Sequence, residues 1–208
     1  MAYDLEEQEQ LDEFKAWWAK NGKMVSSLVL VVVLAYVGWQ GYHYWIQKKS
    51  TEASNIYQTL VTTDATKLDA IKTQANQLTS EYIVTPYAGR AAVFLAKTQY
   101  EAKDVNGAKQ QLQWAIEHAK ESSVQAIAGL QLAGIHYENK DYESAKKVLN
   151  NIQDQGYLGL KDNLLGDVFL AEGKTEEAKK ALTSALKNLD PQGRLSQLTK
   201  QKLESLGG

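Results

Sequence analysis

The hydrophobic residues of the chain follow two patterns: one unbroken apolar run near the N-terminus, and a helical periodicity in the sequence beyond it. No charged side chain occurs between Lys23 and Lys48. A helix over residues 24–45 rises about 1.5 Å per residue, or roughly 33 Å in all, and so crosses a hydrocarbon core about 30 Å thick. The run therefore predicts a transmembrane helix over residues 24–47.

The C-terminal end of this run has the composition of a membrane interface. Aromatic side chains with a polar edge suit the headgroup layer, and lysine side chains reach beyond it. We expect these residues to lie at that interface: Trp39, Tyr42, Tyr44, Trp45, Lys48 and Lys49. A buried strand would be only about 5–6 residues long, and a cleavable export signal would follow a basic segment rather than the acidic one found here. The pattern favours a permanent anchor.

The sequence from residue 50 onward contains a repeated helical unit. Three times, a small residue follows a leucine, and a second small residue occurs 12 positions later. The pairs are Ala96 and Ala108, Ala133 and Ala145, and Gly166 and Ala178. Small side chains on two helices let their backbones approach closely, as in a helical hairpin. The spacing predicts three hairpins, over about residues 88–118, 125–153 and 160–188.

The segments that flank these hairpins show helical periodicity with a weaker repeat. We expect residues 51–81 and 195–206 to form capping helices, because a terminal unit packs on one side only. The repeated unit is similar to the tetratricopeptide repeat (TPR). The prediction is therefore an all-α fold: an N-terminal tail over residues 1–23, a single N-terminal transmembrane helix, and a TPR-like helical-hairpin solenoid over residues 48–208.

The N-terminal tail carries its own apolar spacing. Leu11, Phe14 and Trp18 recur at helical intervals with Trp17 adjacent, among acidic residues. This spacing predicts a short amphipathic helix in the membrane interface, ended by the dipeptide Asn21-Gly22. A frayed acidic tail is the alternative interpretation.

Composition and charge exclude several classes of function. The chain has 23 basic and 25 acidic residues, so it lacks the basic excess of a nucleic-acid-binding surface. It has no cysteine, which excludes disulfides, thiolate metal sites and a catalytic thiol. Neither His118 nor His136 has a paired histidine or cysteine at metal-ligand spacing, and no catalytic motif is present. We expect no metal, no cofactor and no enzymatic activity.

A TPR-like solenoid binds other polypeptides on its concave surface, which the first helix of each hairpin lines. Counting from the small residues assigns eleven positions to that surface. They are Arg90, Val93, Lys97 and Tyr100 in the first hairpin, Ile127, Leu130 and Tyr137 in the second, and Leu160, Asn163, Asp167 and Leu170 in the third. The lining is mainly apolar and suits an apolar or amphipathic partner segment. The alternative is that Ile127, Leu130 and Tyr137 are covered by neighbouring helices.

Two stretches carry a resemblance to a known family. The junction "LDEFKAWWAKNGKMVSS" precedes the apolar anchor, and "TPYAGRAAVFLAKTQY" opens the first clear repeat. With the order of the degenerate repeats, they resemble the YfgM-type ancillary subunits of the bacterial SecYEG translocon, over about residues 10–206.

The resemblance implies an inner-membrane protein with a cytoplasmic tail and a periplasmic TPR-like domain. It further implies association with SecYEG and with a PpiD-like membrane-anchored chaperone, and a role in passing emerging proteins to periplasmic chaperones. The charges that flank the span do not decide the topology by themselves. A second interpretation is a regulatory or structural membrane protein that acts mainly through its cytoplasmic acidic tail.

Overall fold

The computed structural model describes the backbone of residues 2–207 and the side chains of residues 6–207. The described residues form α-helices joined by short turns, and no strand occurs among them. The chain divides into two compact units, Met1–Lys48 and Lys49–Gly208. The all-α prediction is therefore confirmed.

The first unit consists of one helix. Helix α1 (Ala2–Thr62) runs without a break through the acidic tail and the apolar run and continues into the second unit. The prediction that Asn21-Gly22 ends a separate tail helix is wrong. The Asn21 side chain donates a hydrogen bond to the Trp17 carbonyl oxygen at 3.1 Å, one turn earlier in the same helix. A glycine within a helix costs only about 1 kcal/mol, which its neighbours outweigh here.

The second unit is built from helical pairs. It comprises the end of α1, α2 (Leu68–Glu81), α3 (Pro86–Glu101), α4 (Val105–His118), α5 (Ser122–Glu138), α6 (Tyr142–Asn150), a short 3-10 helix (Gln155–Tyr157), α7 (Leu158–Ala171), α8 (Thr175–Asn188) and α9 (Arg194–Ser205). Helices α3 and α4, α5 and α6, and α7 and α8 form the three hairpins that carry the repeated small residues.

The small residues of each hairpin lie where its two helices cross. Ala108, Ala133, Ala145 and Ala178 are fully buried. In the third hairpin, a Cβ added to Gly166 would lie 2.5 Å from Cδ2 of Leu182 on the facing helix. The absence of a side chain at Gly166 is therefore what lets α7 and α8 approach so closely.

The leucine that precedes each small residue packs between hairpins. Leu95 joins the apolar cluster of α1 and α2, which includes Leu60 and Leu78. Leu132 joins the cluster of the α3–α4 hairpin, and Leu165 joins that of the α5–α6 hairpin. Each hairpin thus completes the core of the preceding one, as in a solenoid.

The turns inside the three hairpins have one backbone conformation. Lys103, Lys140 and Gly173 occupy equivalent positions, with φ of 68°, 59° and 76°. This left-handed conformation ends the first helix of each pair. Asp104 and Asp141 then cap the second helix by accepting hydrogen bonds from the backbone N–H groups of Gly107 and Ser144.

An ion-pair cluster links the second hairpin to the third. The Lys146 ammonium donates to the Glu143 carboxylate at 2.7 Å and to both oxygens of Glu172 at 2.8 and 3.0 Å. Lys174 approaches the same Glu172 carboxylate at 3.2 Å. The hydrogen bond from Lys146 holds the pKa of Glu172 below its usual value, and the bonds to Glu143 and Glu172 raise the pKa of Lys146.

These shifts predict a pH-dependent contribution to stability. Because the folded-state pKa of Glu172 is lowered, its contribution is complete above the usual glutamate pKa and is lost as the pH falls through the lowered value. We expect Glu172→Gln to decrease the urea midpoint of unfolding at neutral pH and to have a smaller effect in acid. Glu176→Gln is the matched control, since Glu176 is highly exposed in its ion pair with Lys179. Equal losses for Glu172→Gln at both pH values would contradict the prediction.

Candidate interaction surface of the repeat domain

A cleft of about 190 Å³ opens between α3 and α5. Its floor is apolar and is formed by Ala96, Leu112 and Ile135, and its rim is polar. Gly134 lies among the lining residues, and a Cβ added there would meet no atom within 4 Å. The cleft can accept an apolar side chain from another polypeptide, with polar groups around its entrance.

The rim of this cleft carries charges of both signs. The exposed lining residues include Lys97 on α3 and Glu138 on α5. The Tyr100 hydroxyl donates a hydrogen bond to the Glu138 carboxylate, and this bond raises the pKa of Tyr100. Lys97 is 3.9 Å from Glu101, in a pair whose side chains are both more than half exposed. Lys97 and Tyr100 are therefore the two predicted surface residues that the structure places in the cleft.

Arg90, another predicted surface residue, is already paired. Its guanidinium donates two hydrogen bonds to the Glu121 carboxylate, from Nε at 2.7 Å and from an Nη at 2.6 Å. This two-point contact joins α3 to the residue that precedes α5, and it lowers the pKa of Glu121. Arg90 consequently serves as a link between repeats and is not a free cationic group.

The apolar members of the predicted set in the first two hairpins are half-buried. Val93 packs against the apolar cluster of the first hairpin. Leu130 and Tyr137 pack against the cluster of the second hairpin, and the Tyr137 ring lies 6.1 Å from that of Tyr142. Ile127 has intermediate exposure. Each of these side chains is therefore partly buried in the domain and partly accessible at its surface.

The third hairpin meets the C-terminal helix at two predicted positions. Asn163 is buried, and its side-chain oxygen accepts a hydrogen bond from the Thr199 hydroxyl at 2.8 Å. Asp167 accepts a hydrogen bond from the Lys202 ammonium. Leu160 is exposed and Leu170 is half-buried. Helix α9 thus binds the side chains of Asn163 and Asp167, which the sequence count assigned to the concave surface.

Sequence reasoning missed the four lining residues on α5, namely Gln131, Gly134, Ile135 and Glu138. They lie on the face of α5 that is turned toward α3, whereas the count from the small residues follows one row of positions along each helix. Gly134 was the one indication of the cleft in the sequence. A glycine in the interior of a helix lowers the stability of that helix, so its presence suggests a reason in packing or function. A close approach or an open cleft is the usual reason for such a residue.

The residues predicted for the membrane interface lie on α1. Trp39, Tyr42, Tyr44 and Trp45 are all exposed, with 45–70% of their surface accessible. Lys48 is also exposed, whereas the Lys49 ammonium lies over the Tyr82 ring, 4.6 Å from its centre. Within the described residues, α1 is the one helix long and apolar enough to cross a membrane, and its apolar stretch is not buried.

Comparisons with known proteins agree with this architecture. The tetratricopeptide repeat-like domain family matches residues 15–208. An ancillary SecYEG translocon subunit from Neisseria gonorrhoeae is 28% identical over 208 residues, covering 99% of this chain and 100% of that protein. The proteins of the same name from Aggregatibacter actinomycetemcomitans and Escherichia coli are 30% and 27% identical, and the matches cover 90% and 96% of this chain and 92% and 96% of the relatives. The chain therefore belongs to the tetratricopeptide repeat-like domain family, among its YfgM-type members.

Proposed function

We propose that this protein is a membrane-anchored, TPR-like adaptor of the protein-export translocon. The relatives' shared name, ancillary SecYEG translocon subunit, supports SecYEG as the complex it joins. The open α3–α5 cleft is the structural observation that carries the binding role, because it provides an apolar recess with a polar rim on the repeat domain. Helix α1 supplies the anchor.

In this role the repeat domain binds partner proteins and helps to pass translocated proteins to periplasmic chaperones. Its partners are the SecYEG translocon, a PpiD-like membrane-anchored chaperone and unfolded or emerging clients. The N-terminus lies in the cytoplasm and the repeat domain in the periplasm. The charge of the repeat domain does not oppose this orientation, because long domains translocate largely regardless of their charge. The resemblance to YfgM-type proteins supports this arrangement.

The chemistry of the cleft favours an amphipathic segment as its occupant. An aliphatic or aromatic side chain would cover the floor formed by Ala96, Leu112 and Ile135. Lys97 and Glu138 at the rim offer one charge of each sign to the flanking residues of the partner. Arg90 is held by Glu121 and does not form a cationic clamp for a terminal carboxylate. The cleft is thus suited to an internal segment rather than a chain end.

Photocrosslinking in cells tests the binding role directly. A photoreactive amino acid is placed at Lys97 or Gln131 at the cleft, and at Gln110 on the exposed side of α4 as the control. We expect SecYEG or chaperone subunits to be captured from the cleft positions and not from Gln110. Capture only from residues 1–20 would favour the alternative function, in which the cytoplasmic tail makes the important contact.

Filling the cleft is expected to separate binding from stability. In Gly134→Leu the new side chain enters open space, because no atom lies within 4 Å of the Cβ position. Replacing a glycine within a helix also favours the helix by up to about 1 kcal/mol. We therefore expect an unchanged or raised melting temperature and a loss of crosslinks from Lys97. Retention of those crosslinks in a stably folded variant would show that the cleft is not the binding site.

Protease added to spheroplasts tests the proposed topology. The repeat domain, residues 49–208, should be degraded while the inner membrane remains intact, and a cytoplasmic marker protein should survive. Survival of the repeat domain under these conditions would show that it lies on the cytoplasmic side, opposite to the proposed topology.

A further inference from the structure

Three aromatic side chains form an exposed cluster on α1 before the apolar run. The ring centres of Phe14, Trp17 and Trp18 lie 6.1–6.3 Å apart. The three side chains are 59%, 50% and 46% exposed. At about 100° per residue, Glu9 and Asp12 project from the opposite side of the helix. The three rings therefore form an exposed aromatic patch on α1.

The indole of Trp18 is directed toward the apolar run. A Cβ added to Gly22 would lie 3.0 Å from Nε1 and 3.1 Å from Cε2 of Trp18. The ring therefore lies over Gly22, one turn closer to the run, and Gly22 is buried although the surrounding helix is mostly exposed. Gly22 has a defined structural use: it leaves room for the indole along the helix.

The distance between Trp18 and the aromatic residues at the far end of the run matches a bilayer. Trp39 follows Trp18 by 21 positions in one unbroken helix. The rise between them is about 32 Å, or about 30 Å along the membrane normal at the mean tilt of about 20°. This is the thickness of the hydrocarbon core, and tryptophan is enriched at both of its boundaries.

We propose that Phe14, Trp17 and Trp18 form a second interfacial belt, seated in the lipid headgroup layer on the N-terminal side of the membrane. The hydrocarbon core then covers roughly residues 19–38, so it begins about five residues and ends about nine residues before the predicted span, residues 24–47. Tyr42, Tyr44 and Trp45 lie in the opposite headgroup layer. We take lipid to be what covers the cluster, because the cluster directly precedes the proposed span and lies one hydrocarbon thickness from Trp39 along the helix.

The polar residues near the N-terminal boundary fit this position. Lys20 and Lys23 lie within about two turns of Trp18, so their ammonium groups reach the headgroup layer. The Asn21 amide donates to the Trp17 carbonyl, and the Ser27 hydroxyl donates to the Lys23 carbonyl at 2.8 Å. Both side chains find partners within the helix, as polar groups in lipid require.

The inference rests on the proposed membrane anchoring, and one experiment separates the two. The full chain is placed in phosphatidylethanolamine–phosphatidylglycerol vesicles with phenylalanine at every tryptophan except Trp18. A second protein retains only Trp39. Flotation with the vesicles tests the anchoring. Nitroxide lipids, labelled near the headgroup or at the chain end, then report the depth of each indole.

We expect Trp18 and Trp39 to be quenched more strongly by the headgroup-proximal nitroxide than by the chain-end nitroxide, and to be shielded from aqueous acrylamide. Free access of acrylamide to Trp18 would place the cluster in water. Absence of quenching by either nitroxide would place it against protein or a second copy of the chain. Either result in a floating protein overturns the second belt alone, and failure to float overturns the anchoring as well.

Substitution at Gly22 tests the orientation of Trp18. Gly22→Val places methyl groups where the indole lies, and should weaken headgroup-proximal quenching of Trp18 and increase its access to acrylamide. Gly38→Val is the matched control, because a Cβ at Gly38 meets no atom within 4 Å. Unchanged quenching of Trp18 in Gly22→Val would show that Gly22 does not determine the orientation of the indole.

Discussion

Replacing Leu149 by alanine is expected to lower the free energy of unfolding of the repeat domain by about 2–5 kcal/mol. Leu149 on α6 is fully buried and belongs to the apolar cluster that joins the second and third hairpins. Truncation removes its transfer free energy and leaves a cavity that Ala133, Ala145 and Val168 fill only partly. The loss should appear in urea unfolding followed by circular dichroism.

Leu198→Ala is the matched control for this truncation. It deletes the same atoms from a side chain that is 43% exposed on α9. Substitutions of this kind usually change the free energy of unfolding by no more than about 0.5 kcal/mol. Equal losses for the two variants would mean that the α5–α6–α7 cluster does not dominate the stability of the domain.

Two glycine-to-alanine substitutions should change stability in opposite directions. At Gly89 on α3, the new Cβ would lie 2.5 Å from Cβ and 3.0 Å from Cα of Ala119, which ends α4. A backbone atom cannot rotate away, so Gly89→Ala should force α3 and α4 apart and destabilise the domain by about 1–3 kcal/mol. At Gly134 the same change meets no atom and should stabilise α5 by about 0.5–1 kcal/mol.

Melting temperatures of the two variants, measured beside the unmodified protein, provide the check. For a chain of this size, 1 kcal/mol corresponds to a shift of about 2–4 °C. Gly89→Ala should melt below the unmodified protein, and Gly134→Ala should melt above it. If both shifts have the same sign, helix propensity rather than the close approach at Ala119 determines the effect.

The sequence predicted the parts of the fold that depend on local spacing. Ala96, Ala133 and Gly166 lie at the helix crossings because a close crossing leaves no room for larger side chains, and that constraint is visible in one chain. Leu95, Leu132 and Leu165 each precede one of these small residues and pack between hairpins. Such rules act over one repeat and require no knowledge of distant contacts.

Helix α9 shows where local spacing is insufficient. In this helix Ser196 and Thr199 are the buried residues, whereas Leu198 is exposed. Asn163 on α7 explains the difference, because burying it requires a hydrogen-bonding partner and Thr199 supplies one. The two residues are 36 positions apart. Only the folded arrangement brings this pair together.

The candidate site was predictable to a similar extent. Lys97 and Tyr100 emerge from the count along α3, and both line the cleft. The count could not show that Glu121 holds Arg90, because that contact depends on how α5 begins beside α3. The count along one helix therefore finds the α3 side of the cleft, but not the contacts that depend on the neighbouring hairpin.

The order in which the hairpins pack has a consequence for how the domain folds. Each apolar cluster joins helices that are close neighbours along the chain, and among the described residues no cluster unites the two ends of the repeat domain. A chain with such local contacts has little loop-closure entropy to overcome, so its folding rate should be high for its length. Folding can begin at any hairpin and spread to its neighbours. A domain of this kind can acquire structure one hairpin at a time, before its C-terminal residues have been made.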